Sequence, residues 1–277
     1  MLQKRKNTFL FIVALLLGLL FLVIIFFNSH QKLTEVDFLD VGQGDAALIK
    51  IAKGKTILID GGPDNLVLKR LGENLPFFKR KIDLVILSHS HDDHVIGLLE
   101  ILYRYKIDTI IYVDDVNKTE FLAELLKEAR VRGVNLINLK NEAKINYSAS
   151  CSLFLLNPAA LSVSEDDNNS IVVKLDCDGL RAIFSGDNSL AVEKALLATG
   201  YDWSVEIMKA SHHGSKTSNG EAFLRAVKPK IFVISAGANN RFNHPHEEVL
   251  DRVKSLNIDI KRTDIEGTIK VFGASKS

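Results

Sequence analysis

The stretch SHSHDDH at residues 88–94 decides the fold of this chain. It directly follows the apolar run 82–87, which is a predicted strand. It precedes residues 95–105, whose apolar side chains recur at helical spacing. Three histidines and two aspartates therefore stand at a predicted junction between a strand and a helix.

The spacing within this stretch predicts metal binding. In an extended segment, side chains at i and i+2 share a face, so His89 and His91 can bind one metal ion. Asp93 and His94, at the turn into the helix, would face a second ion beside the first. Two ions about 3.5–4 Å apart can share a water and lower its pKa to about 7, which supplies hydroxide at neutral pH. The alternative is a polar loop that caps the helix through Asp93.

Other chemistry-bearing residues are grouped rather than scattered. Besides the first cluster and His30, the histidines fall into the pairs 212/213 and 244/246. A Ser-Gly-Asp turn follows a predicted strand at residues 185–187. Imidazole and carboxylate ligands suit zinc, manganese or iron. We therefore predict two divalent metal ions, zinc or manganese, as cofactors.

The order of predicted elements indicates a two-sheet α/β fold. Many short apolar runs come in the first half of the chain and again in the second, with helices after each set. This pattern predicts an αββα sandwich of four layers, with two sheets face to face and helices outside. The predicted strands lie at 33–38, 46–51, 56–59, 82–87, 110–113, 153–156, 171–176, 182–184, 205–208, 231–234 and 268–272, and the predicted helices at 95–105, 119–132, 190–199, 221–227 and 246–256.

The N-terminus predicts a membrane anchor. Residues 9–27 are apolar except for Gly18, and as a helix they would span about 28 Å, close to the thickness of the bilayer core. We expect a cytoplasmic basic tail at 1–8, an uncleaved transmembrane signal anchor at 9–27, and a hydrolase domain at 28–277 outside the cytoplasmic membrane. A cleaved signal peptide is the alternative.

Composition excludes several classes of protein. Hydrophobic residues make up 47% and charged residues 25% of the chain, which excludes disordered, collagen-like and disulfide-scaffold proteins. The first 27 residues hold three bases and no acid, so the rest has 32 bases and 34 acids. This net charge of −2 does not indicate a nucleic-acid binder, and such a role must be argued from a site.

The two cysteines are not a metal or redox motif. Cys151 and Cys177 lie 26 positions apart, and neither belongs to a CxxC pair. They could form a disulfide if the domain is extracytoplasmic. Alternatively, they are two small buried strand residues.

The HxHxDH pattern is the signature of the metallo-β-lactamase superfamily, which the chain resembles over residues 33–272. The resemblance extends to DVGQGD at 40–45, DGG at 60–62, GD at 186–187, HHGSK at 212–216 and HPH at 244–246. Together these motifs resemble the extracytoplasmic hydrolase domain of ComEC-type DNA-uptake competence proteins. The phosphorylcholine esterase of bacterial surfaces is a related type.

The resemblance implies a set of ligands for each ion. The set for the first ion is His89, His91 and Asp187, and the set for the second is Asp93, His94, the bridging Asp187 and one histidine of the 212/213 pair. We expect His212, because the superfamily's late histidine usually follows the strand-end Ser or Thr directly. His213 would then contact substrate or protonate a leaving oxygen, or else donate a hydrogen bond behind a ligand.

Further roles follow from the same resemblance. Asp93, His213 and His246 are the expected catalytic residues, and Asp45 and Asp60 would orient the ligand imidazoles. The third histidine that many members place on the first ion is missing, and the corresponding stretch reads Asn-Asn-Ser at 168–170. An ion with fewer protein ligands leaves positions open for phosphate and water. The expected substrate-binding residues are Asn169, Ser170, Ser215, Lys216 and His244.

The expected function is a metal-dependent phosphodiesterase or nuclease that acts on DNA outside the cytoplasmic membrane during uptake. A DNA-uptake channel protein is a possible partner. One alternative is a surface phosphodiesterase of phosphorylcholine or teichoic-acid-like substrates. The other is a non-catalytic binding domain with a vestigial site.

Overall fold

The computed structural model describes residues 2–30, 33–52, 54–114, 119–161 and 170–273. The chain starts with the helix α1 (Leu2–His30). Within the described residues, α1 alone is long and apolar enough to cross a membrane, over Arg5–Val23 with a mean hydropathy of 2.3. None of that window is buried.

The first sheet contains seven strands. Six of them come from the first half of the chain: β1 (Glu35–Phe38), β2 (Ala47–Ile51), β3 (Lys55–Ile59), β4 (Lys81–Ile86), β5 (Lys106–Tyr112) and β6 (Asn135–Asn138). The strands β3 to β6 are parallel, whereas β1 and β2 pair antiparallel to their neighbours. The last strand of the chain completes this sheet beside β1.

The second sheet also contains seven strands: β7 (Glu142–Ser148), β8 (Cys151–Leu156), β9 (Val172–Cys177), β10 (Leu180–Phe184), β11 (Ile207–Lys209), β12 (Ile231–Ile234) and β13 (Asp259–Arg262). It follows the same plan, with an antiparallel part (β7 to β10) and a parallel part (β10 to β13). The strand β14 (Ile269–Phe272) then returns to β1 in the first sheet.

Helices cover the outer face of each sheet. The first sheet is covered by α2 (Leu66–Asn74), α3 (Asp92–Arg104) and α4 (Glu120–Val131), and the second by α5 (Leu190–Ala198), α6 (Glu221–Val227) and α7 (Glu247–Ser255). A single helical turn, α8 (Thr263–Glu266), precedes β14. The predicted four-layer αββα sandwich is confirmed.

The layers follow from strand periodicity. On β3, Ile57 and Ile59 point into the core between the sheets, whereas Leu58 points to the core under the helices. Alternate side chains of a strand face opposite sides, so a strand buried on both faces is apolar throughout. The same rule explains why β7, with alternating exposed residues at the sheet edge, was not predicted from its sequence.

Most predicted elements are found, and several were missed. The hairpin turn at Asp178-Gly179 joins β9 and β10 as expected, with positive φ at both residues. The elements that the sequence did not predict include α2, β6, β7, β13 and α8. The predicted helix at 246–256 starts one residue later, and His246 is its N-cap.

Both interpretations of the cysteines hold. Cys151 and Cys177 face each other directly on β8 and β9, and both are buried in the core between the sheets. They form a disulfide.

The close approach of α3 to the DGG turn positions the metal-centre residues. A Cβ on Gly97 would lie 1.9 Å from the carbonyl oxygen of Gly61. The Gly61 amide donates to the carbonyl of His94, and the Gly97 amide donates to that of Gly62. A side chain at position 97 would therefore push α3 away from the turn.

We expect Gly97→Ala to lower the free energy of unfolding by about 2–3 kcal/mol through overpacking. Gly72→Ala in α2 is the matched control, because nothing lies within 4 Å of its Cβ position. It should raise the free energy by about 0.5–1 kcal/mol through helix propensity. Urea unfolding of the two variants measures both, and equal effects would contradict this account.

Candidate metal centre

The candidate site lies at the end of the two sheets where their parallel strands finish. Residues 88–94 follow β4, and Asp60 follows β3. From the second sheet, Asp187 follows β10 and the histidine pair 212/213 follows β11. The carboxyl ends of parallel strands meet at one edge, so residues far apart in sequence converge here.

One cluster contains His89, His91 and Asp187, whose ligand atoms lie within 4.8 Å of one another. The ring centroids of the two histidines are 4.4 Å apart. His89 Nε2 lies 3.8 Å from Asp187 Oδ2. The i, i+2 spacing thus places both imidazoles on one face, as the sequence predicted.

A second cluster contains Asp93, His94, Asp187 and His213, again with ligand atoms within 4.8 Å. His213 Nε2 lies 3.2 Å from Asp93 Oδ2 and 3.8 Å from Asp187 Oδ1. His94 Nε2 lies 3.4 Å from the same Asp187 oxygen. Three of the four side chains are buried.

Asp187 joins the two clusters. Its Oδ2 faces the first cluster and its Oδ1 the second. The loop that carries Asp187 is held in place by Ser170, because the backbone amide of Asp187 donates a hydrogen bond to the Ser170 hydroxyl. Gly186 adopts a φ of 49°, and a Cβ there would lie 2.5 Å from that of Ser170. The carboxylate is thereby held between two groups of imidazoles.

The side chains fit divalent metal ions. Within the described part of the chain, His89 Nε2, His94 Nε2 and Asp187 Oδ1 are buried without a hydrogen-bond partner. Buried polar atoms normally have partners, and these three face the same space. A set of imidazole nitrogens and carboxylate oxygens suits zinc or manganese.

The structure differs from the prediction for the histidine pair. His213, rather than His212, lies in the second cluster. Both residues have positive φ, 49° and 54°, in the tight turn after β11. This turn directs the second ring inward, where His213 is 1% exposed and its Nδ1 lies 2.9 Å from the Ser235 carbonyl. His213 is therefore too deeply buried for the predicted role at a leaving oxygen.

His212 lies at the rim of the site instead. Its side chain is 31% exposed, and its Nε2 lies 3.7 Å from Asp187 Oδ2, on the side of the first cluster. Burial lowers the pKa of this ring, so it is neutral at pH 7. His212 thus stands between the clusters and the solvent.

Asp60 orients His94, as predicted. Its Oδ2 lies 2.9 Å from His94 Nδ1, and its carboxylate also accepts from the amide and hydroxyl of Ser88. This contact leaves Nε2 of His94 free to face the site. Burial favours a low pKa for His94, but the carboxylates of Asp187, Asp60 and Asp93 raise it well above 6.5.

Asp45 lies beside the buried ring of His213. Its Oδ1 lies 3.2 Å from His213 Nδ1, and its other oxygen pairs with the buried ammonium of Lys209. Burial would raise the pKa of Asp45, but Lys209 and His213 lower it to about 2. Burial would lower the pKa of His213, but Asp187 and Asp45 raise it to about 9.

Of the predicted substrate-binding residues, Ser170 and Ser215 are buried, whereas Lys216 is exposed. Ser170 is fully buried, so its hydroxyl positions Asp187 and does not reach a substrate. Ser215 is also buried, with its hydroxyl on Thr217. Lys216 is exposed, and its amide donates to His246 Nδ1. Asn169 lies outside the described residues.

The two histidines of the HPH motif lie beside the site. The ring of His244 is 5.3 Å from that of His212 and 5.0 Å from that of His246. Burial and the neighbouring His213 lower the pKa of His244 to about 4. His246 contacts His244 rather than the 212/213 pair, so it lies one ring further from the clusters than His244.

An open cleft of about 460 Å³ adjoins Asp93. Arg241 and Phe242 line it, with the guanidinium 4.8 Å from the aromatic ring centroid. The ring of Phe242 stacks on His244 at 5.7 Å. A cation and an aromatic face thus border the path to the clusters.

Sequence reasoning missed three supporting residues. Ser88 donates a hydrogen bond to Asp60, and the carbonyl of Ser235 lies within hydrogen-bond distance of His213 Nδ1. The side-chain amide of Asn188 forms hydrogen bonds with the backbone of Ser170. Ser88 lies within the recognised stretch 88–94, Asn188 follows the Ser-Gly-Asp turn, and Ser235 directly follows β12. Polarity directly after an apolar strand was the available signal.

Comparisons with known proteins agree with this geometry. Residues 39–147 match the sequence profile of the Metallo-beta-lactamase superfamily. The chain is 30% identical over 254 residues to ComE operon protein 3 of Bacillus subtilis, covering 85% of this chain and 32% of that protein. It is 28% identical over 259 residues to Recombination protein 2 of Haemophilus influenzae, covering 91% and 30%.

The chain therefore spans about a third of the length of these curated relatives. Among solved structures, a metallo hydrolase from the archaeon Ignicoccus hospitalis superposes with a TM-score of 0.58 at 16% identity. The match covers 86% of this chain and 99% of that protein. At this identity it supports the fold.

We expect the purified protein to retain about two divalent ions per chain. His213→Ala should lose about one of them, because it removes a buried group from the second cluster. His212→Ala is the matched control and should keep both, because its ring lies outside the two clusters. Mass spectrometry after dialysis measures the number of metal ions per chain. Loss of an ion in His212→Ala but not in His213→Ala would show that His212 is the ligand.

Proposed function

We propose that the chain is a metal-dependent phosphodiesterase of the metallo-β-lactamase superfamily that cleaves DNA outside the cytoplasmic membrane. The observation that carries the proposal is Asp187, whose two carboxylate oxygens face two separate histidine clusters. We assign His89, His91 and Asp187 to one ion. The second would be held by the cluster Asp93, His94, Asp187 and His213.

Two divalent ions held there would polarise a phosphoryl oxygen and lower the pKa of a water between them. The side chains of the protein position these groups. Asp60 holds Nδ1 of His94 and the Ser235 carbonyl holds Nδ1 of His213, so that each ring presents Nε2 to the centre. The burial of these carboxylates and imidazoles also excludes bulk water, which strengthens the electrostatic interactions within the site.

His212 and His244 are the candidates for contact with the substrate. Both have lowered pKa values and are neutral at pH 7, so they can donate a hydrogen bond to a phosphoryl oxygen without adding charge. His212 is partly exposed and 3.7 Å from Asp187, which places it at the entry to the first cluster. Arg241 in the adjoining cleft offers a charge for a neighbouring phosphate.

The first cluster supports a substrate with anionic oxygens. No histidine occurs in the sequence between His94 and His212, so a third imidazole from that region is absent. Three protein ligands leave positions for phosphate oxygens and water. The names of the relatives, an operon protein and a recombination protein, together with a Competence protein ComA of Neisseria gonorrhoeae that is 32% identical over 122 residues, favour DNA as that substrate.

The near-neutral charge of the domain favours a second candidate, a surface phosphodiesterase of phosphorylcholine or teichoic-acid-like substrates. A net charge of −2 beyond residue 27 provides no general attraction to DNA. Small phosphodiesters would need only the cleft beside Asp93. The substrate assay below separates the two functions.

With added manganese or zinc, we expect the protein to cleave single-stranded DNA. Asp187→Asn should reduce the rate by at least about 10²-fold, because it removes the shared charge. Asp176→Asn is the matched control, since Asp176 is an exposed carboxylate on β9. Gel electrophoresis of labelled DNA measures the cleavage.

The same preparation is tested on bis-p-nitrophenyl phosphate and p-nitrophenyl phosphorylcholine. Cleavage of these with intact DNA would support the second candidate. A protein that binds two ions and cleaves none of the three substrates would be a non-catalytic binding domain.

We also propose that α1 anchors the chain, with residues 1–8 in the cytoplasm and 28–277 outside. The buried disulfide supports this, because disulfides persist in oxidising compartments. The bases at residues 4–6 before the apolar run favour the same orientation.

A C-terminal alkaline phosphatase fusion should therefore be active in cells, and a C-terminal green fluorescent protein fusion should be dark. Changing all three N-terminal bases to glutamate should weaken this difference, because it removes the positive-inside signal. A bright fluorescent fusion with an inactive phosphatase fusion would place the domain in the cytoplasm.

A further inference from the structure

The loop between α2 and β4 exposes two adjacent aromatic side chains. Phe77 is 85% exposed and Phe78 is 63% exposed. Their rings pack edge to face, 5.4 Å apart, and thus against each other rather than against the core. An adjacent exposed pair of this size is unusual on a water-facing surface and is typical of a binding surface.

This pair lies at the end of the domain opposite to the metal centre. β4 starts after the loop and finishes at the histidine stretch, so the loop and the site lie at its two ends. The Lys79 ammonium donates to the carbonyl of Gly54 in the β2–β3 turn. That turn lies beside the start of β1, because Glu35 pairs with Lys50.

The start of β1 is also where the chain arrives from the anchor. Only four residues separate His30, the last residue of α1, from Glu35. Fully extended, five Cα steps reach at most about 18 Å. A membrane that contains α1 is therefore close to the end of the sheet that carries the aromatic pair.

Cationic side chains line a cleft at Arg80, two residues after the aromatic pair. Arg80 stacks on Tyr105 at 5.6 Å, and Arg104, at the end of α3, borders the same cleft of about 630 Å³. The described lining of this cleft contains three cations and no carboxylate: Leu68, Lys69, Arg80, Tyr103, Arg104 and Tyr105. Lys81 pairs with Asp83 and Asp108 next to it.

We propose that this end of the domain docks on the surface of a bilayer that contains anionic phospholipids. Phe77 and Phe78 enter the interfacial region, and the guanidinium groups of Arg80 and Arg104 contact lipid phosphates. Two observations favour a membrane over a second copy of the chain: the short connection to the anchor and the cations that line the cleft at Arg80. The inference rests on the proposed anchor and not on the proposed enzymatic activity.

Docking of this kind would orient the metal centre. The strands β3 and β4 run from the docking end to the metal centre, so the site would face away from the membrane. A polymer approaching from outside would reach the clusters without crossing the bilayer surface. The tether would then hold the domain in one orientation instead of letting it tumble.

The test uses the full chain in proteoliposomes that contain brominated phosphatidylcholine and phosphatidylglycerol. Phe77→Trp places a fluorophore in the loop, and Ile265→Trp is the matched control. Ile265 is 70% exposed and lies in α8, at the metal-centre end. The native Trp203 is buried and gives the same background in both variants.

We expect brominated lipid to quench the added emission of Phe77→Trp at least twofold and to leave that of Ile265→Trp unchanged. Replacing phosphatidylglycerol by phosphatidylcholine should reduce the quenching, and so should the double variant Arg80→Gln/Arg104→Gln in the Phe77→Trp background. Unchanged metal content in each variant shows that the domain is folded.

Equal quenching of both variants, or of neither, would overturn the proposal. A blue shift of Phe77→Trp that depends on protein concentration in lipid-free detergent would instead assign the surface to a second copy. Flotation of the vesicles separates the two premises. A chain that does not float with the lipid has no anchor, and a chain that floats without quenching is anchored but not docked.

Discussion

The carboxylate of Asp187 is the constraint on which the rest of the structure depends. It is buried and faces imidazoles on two sides. Its backbone amide donates a hydrogen bond to the hydroxyl of Ser170, which holds the loop in place. Burial alone would raise its pKa, but His213 and His94 hold that pKa well below its usual range. A buried negative charge of this kind needs cationic partners, and the two clusters are arranged to supply space for them.

The sandwich brings these partners together through its repeated sheet plan. In each sheet an antiparallel part is followed by four parallel strands, and both parallel parts finish at the same end of the molecule. The first sheet supplies residues 88–94, and the second supplies Asp187 and His213. Neither sheet has a complete ligand set, so the packing of the two sheets against each other creates the site.

The sequence predicted the elements that carry motifs and missed those defined by context. The i, i+2 spacing of His89 and His91 follows from strand geometry, so their shared face could be predicted. The choice between His212 and His213 could not, because it depends on two positive φ angles that ordinary residues rarely adopt. Likewise, Ser170 is a polar residue just before β9 whether its hydroxyl faces substrate or the Asp187 amide. Strand β7 was missed because an edge strand lacks the continuous apolar run that identifies a central one.

The charges of the site link metal binding to the stability of the domain. Asp45, Asp60, Asp93 and Asp187 are all within the site, and against the effect of burial these carboxylates raise the pKa values of His94 and His213. Divalent ions bound there would compete with protons for these rings, since an imidazole must lose its proton to bind a metal. Any ligand that binds the folded state alone stabilises it in proportion to the logarithm of its concentration over its dissociation constant. The two halves of the sandwich contribute to the same centre, so the ions would also hold the sheets together at this end.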